Sequence, residues 1–222
     1  MQQLILDIID PPAPSFENFV TAANAELINA LHVLINQADP TPQLYLWGAT
    51  GSGKTHLLQA CVKLAQATGM SAAYLNAVDF ADADTENLAL IAIDNVEQLD
   101  AENQIKLFNL INQVREGRGR LISAGMVAPM QLPLRVDVTT RLGWDLIYQI
   151  QPLSDADKLQ VLTHHAQDRG LSLQAHVAEY LIHHWRRDLP SLMAALDSLD
   201  RYSLQTQRAI TVPLLKEILP RQ

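Results

Sequence analysis

Spacing of apolar positions divides the chain into a part where strand and helix patterns alternate and a later part that is helical throughout. Leu27, Ile28, Leu31, Leu34 and Ile35 recur at helical spacing between about residues 24 and 37, and Asp39-Pro40-Thr41-Pro42 ends that helix. Leu44-Tyr45-Leu46-Trp47 is a short continuous apolar run, the pattern of a strand buried on both faces. Leu57, Leu58, Cys61, Val62, Leu64 and Ala65 form one face of a helix from Lys54 to about Ala67, with Gly69 as its stop. Residues 71–76 read as a second strand and 88–93 as a third, running into Asp94. A helix with Leu107, Phe108, Leu110, Ile111 and Val114 inward follows, then strands at 121–124 and 146–150. This alternation predicts an α/β fold with a mostly parallel sheet flanked by helices, whose ligands gather beyond the strands' carboxyl ends.

Beyond Gln151-Pro152 only helical patterns remain, at about 154–168, 175–187, 190–202 and 211–219, the first opened by the capping signal Ser154-x-x-Asp157. The predicted division is residues 1–14 as an outlying peptide and linker, 15–151 as an α/β base and 152–222 as a small all-helical lid. Pro11-Pro12-Ala13-Pro14 stiffens the connection to the first ten residues, which read either as an edge strand or fraying tail, or as a docking peptide.

Composition narrows the class. No apolar run reaches the ~18 residues of a membrane span, no secretory signal is visible, and the single cysteine, Cys61, rules out an internal disulfide and suits the cytoplasm. Cys61 lies on the apolar face of its helix and reads as core. The net charge of −8 opposes a generic grip on DNA, so any action on nucleic acid is expected through protein partners. The pairs His164-His165 and His183-His184 lack the spacing and companions of a metal set.

One stretch carries explicit chemistry. Gly48-Ala49-Thr50-Gly51-Ser52-Gly53-Lys54-Thr55 is a complete G-x-x-x-x-G-K-T phosphate loop with a strand before it and a helix after it. Gly48, Thr50, Gly51, Ser52 and Gly53 turn backbone N–H groups toward phosphate at a helix N-terminus. Lys54 reaches the terminal phosphates and the Thr55 hydroxyl holds Mg²⁺. His56, next in sequence, is counted with the nucleotide-contacting set. Asp94, at the end of an apolar strand, suits the second acidic element of such a site and a role in holding Mg²⁺. The following Asn95 can orient water but cannot take its proton, so hydrolysis by this chain alone is expected to be slow, with Glu97 the nearest carboxylate that could substitute. Arg141, read as lying in a loop before the last strand, is either a solvated or paired charge or an arginine offered to a neighbour's γ-phosphate.

Together these stretches resemble the AAA+ ATPases related to the bacterial replication initiator DnaA. Ser15-Phe16-Glu17-Asn18-Phe19-Val20, followed by Asn24, is similar to the segment that borders the adenine in that family, which implicates Asn18, Phe19 and Val20. Tyr45-Leu46-Trp47-Gly48 leads into the loop as it does there, and Arg141-Leu142-Gly143-Trp144 resembles the stretch carrying the family's arginine finger. The acidic strand end Ile93-Asp94-Asn95-Val96-Glu97 and the run from Gln151 to Gln160 look like the family's regulatory branch, the inactivators of DnaA. Gln3-Leu4-Ile5-Leu6-Asp7-Ile8 is similar to the sliding-clamp peptide Q-L-x-L-x-L, which implicates Gln3, Leu4, Leu6 and Ile8, with Asp7 where proline is often found.

The resemblance implies an AAA+ base holding ADP or ATP with Mg²⁺. It also implies docking on the DNA-loaded sliding clamp (the DNA polymerase III beta subunit), contact with DNA only through that clamp, and Arg141 stimulating hydrolysis of DnaA-bound ATP in trans, a negative regulation of initiation. A homodimer stays open, as do an autonomous ATPase of helicase-loader type and a non-catalytic clamp-bound adaptor. Two departures from the family weaken γ-phosphate reading: Ser123-Ala124-Gly125-Met126 lacks the family's sensor Asp, and Pro190 falls where the lid arginine is expected, with Arg186 and Arg187 a turn away.

Overall fold

The structure is a computed structural model and describes residues 13–36, 41–117, 119–171, 173–185, 188–206 and 208–218. Two compact units are present, one over Pro14–Pro152 and one within Leu153–Gln222.

In the first unit five strands form one parallel sheet, ordered β2-β3-β4-β1-β5: β1 (Gln43–Trp47), β2 (Ala72–Asn76), β3 (Leu90–Asp94), β4 (Arg120–Gly125) and β5 (Leu146–Gln149). Strand alternation sorts the apolar side chains into two layers. Leu44, Leu46, Leu90, Ala92 and Ile122 face α1 (Ala25–Ile35) and α2 (Lys54–Ala67). Tyr45, Ile91, Ile93 and Leu121 face α3 (Ala101–Arg115) and α4 (Val136–Leu142). Cys61 is fully buried among the first set and burial pushes its thiol far up, which makes it an inert core residue.

Helix α4 stands where the sequence predicts a loop around Arg141: Arg141 lies in its last turn. The segment Val136-Asp137-Val138-Thr139-Thr140 is β-branched at four of five positions and has low helix propensity. Burial of Val138 and Leu142 supplies what local propensity does not. Asp94 is the last residue of β3, at the end of the apolar strand where the sequence places it.

The second unit is helical: α5 (Asp155–Asp168), α6 (Ala175–His184), α7 (Leu189–Thr206) and α8 (Val212–Ile218) close over Leu162, Val177, Leu181, Leu192, Leu196 and Leu215. Helix α6 ends three residues earlier and α7 four residues later than the apolar spacing predicts. Ser154 and Asp157 form the expected capping box, and Asp197 of α7 ties to α5 through His165 at 2.7 Å and Arg169 at 3.0 Å.

Candidate nucleotide site

Strand β1 delivers the chain to the phosphate loop at the carboxyl end of the sheet, and α2 starts at Lys54. Gly53 has φ +103°, and a methyl group there would lie 2.7 Å from Cε2 of Phe19. Glycine therefore serves both the left-handed turn and the close approach of the Phe19 ring. Lys54 folds back over the loop, donating to the carbonyls of Gly48 at 2.7 Å and Ala49 at 3.0 Å, with its Nζ 3.7 Å from the Met126 sulfur. Burial lowers its pKa, and the Asp94 and Glu97 carboxylates oppose that shift. Ser52 is buried and its hydroxyl has no hydrogen-bond partner, a polar group aimed into the loop with no protein atom to satisfy it. Thr50 and Gly51 are exposed on the loop's rim, with the Thr50 hydroxyl 3.7 Å from the Met126 sulfur.

Asp94 is fully buried and accepts from the Thr55 hydroxyl at 2.5 Å, the Tyr74 hydroxyl at 3.1 Å and the Asn95 N–H at 2.9 Å. Sequence spacing separates Thr55 and Asp94 by 39 positions; the sheet brings them into direct contact. A hydroxyl beside a carboxylate at the end of a phosphate loop is an oxygen donor set that suits Mg²⁺. Tyr74, which the sequence reading did not single out, is pushed up to about 12 by burial and by the Asp94 charge, and so stays a donor to that carboxylate.

On the other flank, Asn18 accepts from the Ser15 N–H at 2.8 Å, and His56 meets the Ser15 carbonyl at 2.9 Å. The rings of Phe19 and His56 lie 5.6 Å apart, and Val20 is half-buried just beyond. Asn18 and His56 thus meet at Ser15, and Phe19 lies between His56 and Gly53, with Val20 next to it in sequence. Asn24 fixes the end of the same segment, bonding the Gln151 N–H at 2.8 Å and its carbonyl at 2.9 Å.

Where the chain departs from the expected pattern, the geometry is specific. Asn95 adopts a left-handed conformation, φ 56°, and turns the chain into a 3-10 turn that carries Glu97 back toward β4. Its Oε2 is buried without a hydrogen-bond partner, and a methyl group on Gly125 would sit 3.0 Å from it and collide with the Tyr45 hydroxyl. Ser123 is 2% exposed inside β4.

Arg141 is not brought to the phosphate loop. Its carbonyl accepts from Gln43 Nε2 at the first residue of β1. At about 3.3 Å per residue, the five steps of β1 from Gln43 to Gly48 place the loop roughly 16 Å away. Its guanidinium donates from Nε to Asn112 Oδ1 at 3.1 Å and from Nη1 to the Asp137 carbonyl at 3.2 Å. It also stacks 3.8 Å from the Phe108 ring centroid and 4.7 Å from that of Trp144. Sequence reasoning assigned Phe108 to the core and passed over Gln43, Asn112 and Trp144 as partners of this arginine; no local pattern marks them. Gln3, Leu4, Leu6 and Ile8, with Arg186 and Arg187, lie outside the described residues.

Comparison with known proteins agrees with this architecture. Residues 12–149 match the family model of the bacterial DnaA ATPase domain, and residues 155–219 match that of the Hda lid domain. Among solved structures, AMPPCP-bound DnaA from Aquifex aeolicus has a TM-score of 0.73 at 20% identity, over 88% of this chain and 67% of that one. Domain III of the Thermotoga maritima replication initiation protein DnaA has a TM-score of 0.73 at 18% identity, over 96% of this chain and 100% of that one. The Thermotoga maritima RuvB branch migration motor has a TM-score of 0.65 at 15% identity, over 93% of this chain and 71% of that one.

Proposed function

The chain belongs to the bacterial DnaA ATPase-domain family, and from that membership we propose that it is a nucleotide-holding regulator that stimulates hydrolysis of DnaA-bound ATP in trans. In this reading Gly48–Thr55 and Asp94 hold ADP or ATP with Mg²⁺, and Asn18, Phe19, Val20 and His56 border the base. Bound Mg²⁺ supplies charge neutralisation at the phosphates, held by the Thr55 hydroxyl and Asp94. The Arg141 guanidinium enters the ATP site of DnaA and donates to the charge developing on the transferred phosphoryl group. DnaA is left in its ADP form and initiation is suppressed. The N-terminal peptide, through Gln3, Leu4, Leu6 and Ile8, docks on the DNA-loaded sliding clamp, which lets a chain of net charge −8 act at DNA without gripping it.

The observation supporting this reading is the position of Arg141. It is held by hydrogen bonds and two aromatic faces at the end of the sheet opposite this chain's own phosphate loop, so its guanidinium is out of reach of a nucleotide bound there. The test is DnaA·ATP turnover with clamp and DNA present. Wild type is expected to accelerate it, and Arg141→Ala to lose roughly 10³-fold or more of that stimulation, the scale of arginine fingers in other NTPases. Equal stimulation by the two proteins would remove the role.

One observation favours a second reading, an autonomous ATPase: the unpartnered Oε2 of Glu97, near the loop's lysine, could serve as base in place of Asn95. Partner-free turnover abolished by Glu97→Gln would support it, whereas turnover near background would dismiss it.

A further inference from the structure

Gln43 is 3% exposed at the first position of β1, where its carboxamide is out of reach of water. Its Nε2 donates to the Arg141 carbonyl at 2.5 Å, while its Oε1 is buried with no hydrogen-bond partner. A buried amide left with one orphaned acceptor is a poor choice for stability, since an apolar side chain of equal length would remove the orphan. What the amide does accomplish is local to Arg141. That carbonyl falls in the last turn of α4, where no further turn of helix can bond it, and the N–H of Trp144 approaches it at 3.2 Å. Gln43 supplies a side-chain donor from another element and fastens the turn to the sheet. Asn112 and Phe108, both on α3, hold the guanidinium. Backbone and head group of this one arginine are thus tied to two different elements of the rigid base.

We infer that Gln43 is a positioning residue for Arg141: its amide pins the arginine's carbonyl to the start of β1 and so sets where the guanidinium is presented to a partner's triphosphate. The inference rests on the reading of Arg141 as acting in trans, and it deepens that reading. It ascribes to Gln43 no contact with nucleotide. The expected signature is a fall in the rate of the stimulated step without a fall in stability or in the strength of association, because a displaced reacting group costs rate far from the contact surface.

Gln43→Met keeps the length of the side chain and removes both the donor and the orphan. In the DnaA·ATP turnover assay with clamp and DNA, its maximal stimulated rate is expected roughly ten- to hundredfold below wild type, at the wild-type half-saturating concentration. Its melting temperature should match or exceed wild type, and its affinity for ADP should be unchanged. Placed in the Arg141→Ala background, Gln43→Met should cause no further loss, since the two act on one group. Gln43→Leu, a second apolar variant, should repeat the result. A maximal rate equal to wild type, or an equal further loss in the Arg141→Ala background, would overturn the inference. So would a lower melting temperature in both variants with stimulation lost in proportion to folded protein, which would make Gln43 a stability residue only. Failure of wild type to stimulate, or full activity of Arg141→Ala, would instead bring down the trans reading on which the inference stands.

Discussion

His56 shows how a residue beside a motif can be more informative than its place in the motif. Its ring meets the Ser15 carbonyl at 2.9 Å and lies against Phe19, so it links the start of α2 to the segment carrying Ser15 and Phe19. Burial lowers its pKa from 6.5, and the Ser15 bond opposes this only in part. Between the lowered folded value and 6.5 the unfolded chain binds the proton and the folded chain does not, so stability falls as pH drops through that window and levels off below it. Melting temperature measured from pH 7.5 to 5 should therefore decline in wild type, and His56→Gln should flatten that part of the curve. An unchanged decline in the variant would assign it to other groups. At this scale the sequence was legible where function is contiguous. The loop, its lysine and its threonine follow one another, and Asp94 is marked by the apolar strand it ends. Tyr74 and Gln43 were not legible, because each meets its partner across the sheet, from a strand position with no distinguishing neighbours.

Elements were legible in proportion to how far local pattern alone stabilises them. Helix α2, with a phosphate loop before it and a glycine after it, has the predicted bounds Lys54–Ala67, and the capping box of α5 stands where Ser154-x-x-Asp157 placed it. Helix α4 was invisible because its β-branched sequence argues against a helix while buried Val138 and Leu142 and the bond from Gln43 hold it in one. The stretch after β2 depends on tertiary contacts in the same way. Lys106 of α3 donates to the carbonyls of Phe80 at 2.7 Å, Ala81 at 2.9 Å and Ala83 at 2.7 Å, with its ammonium 4.9 Å from the Phe80 ring centroid. Four carboxylates, Asp79, Asp82, Asp84 and Glu86, crowd the same stretch, which has no regular ladder after the 3-10 turn at Ala77–Asp79. One ammonium therefore organises three carbonyls that would otherwise need water. Lys106→Met is expected to destabilise by about 1–3 kcal/mol, the cost of leaving such groups partly unsatisfied. Amide exchange over residues 80–86 should quicken while that of β3 and β4 stays slow. Uniform exchange across the base in the variant would show that Lys106 supports the whole unit rather than this segment.

Across the base unit, β1 separates two kinds of chemistry. Its carboxyl end opens into the phosphate loop, where Lys54, Thr55 and Asp94 converge, and its amino end carries Gln43 beneath Arg141. A strand of five residues cannot bring those ends together: roughly 16 Å separates them at about 3.3 Å per residue, more than the reach of an arginine side chain. The two sites should therefore respond independently to mutation in the isolated protein. Arg141→Ala should bind ADP and ATP with wild-type affinity and leave partner-free turnover unchanged. Lys54→Ala should weaken nucleotide binding about ten- to hundredfold, the effect of removing charge-assisted hydrogen bonds to phosphate. Fluorescent-nucleotide titration of both variants distinguishes the outcomes. A loss of affinity in Arg141→Ala equal to that in Lys54→Ala would mean that the arginine reaches this chain's own nucleotide, which the length of β1 forbids. On the function proposed above, independence also accounts for an intact phosphate loop in a chain with Asn95 after the acidic strand end: the nucleotide held at the loop need not be the one on which Arg141 is proposed to act.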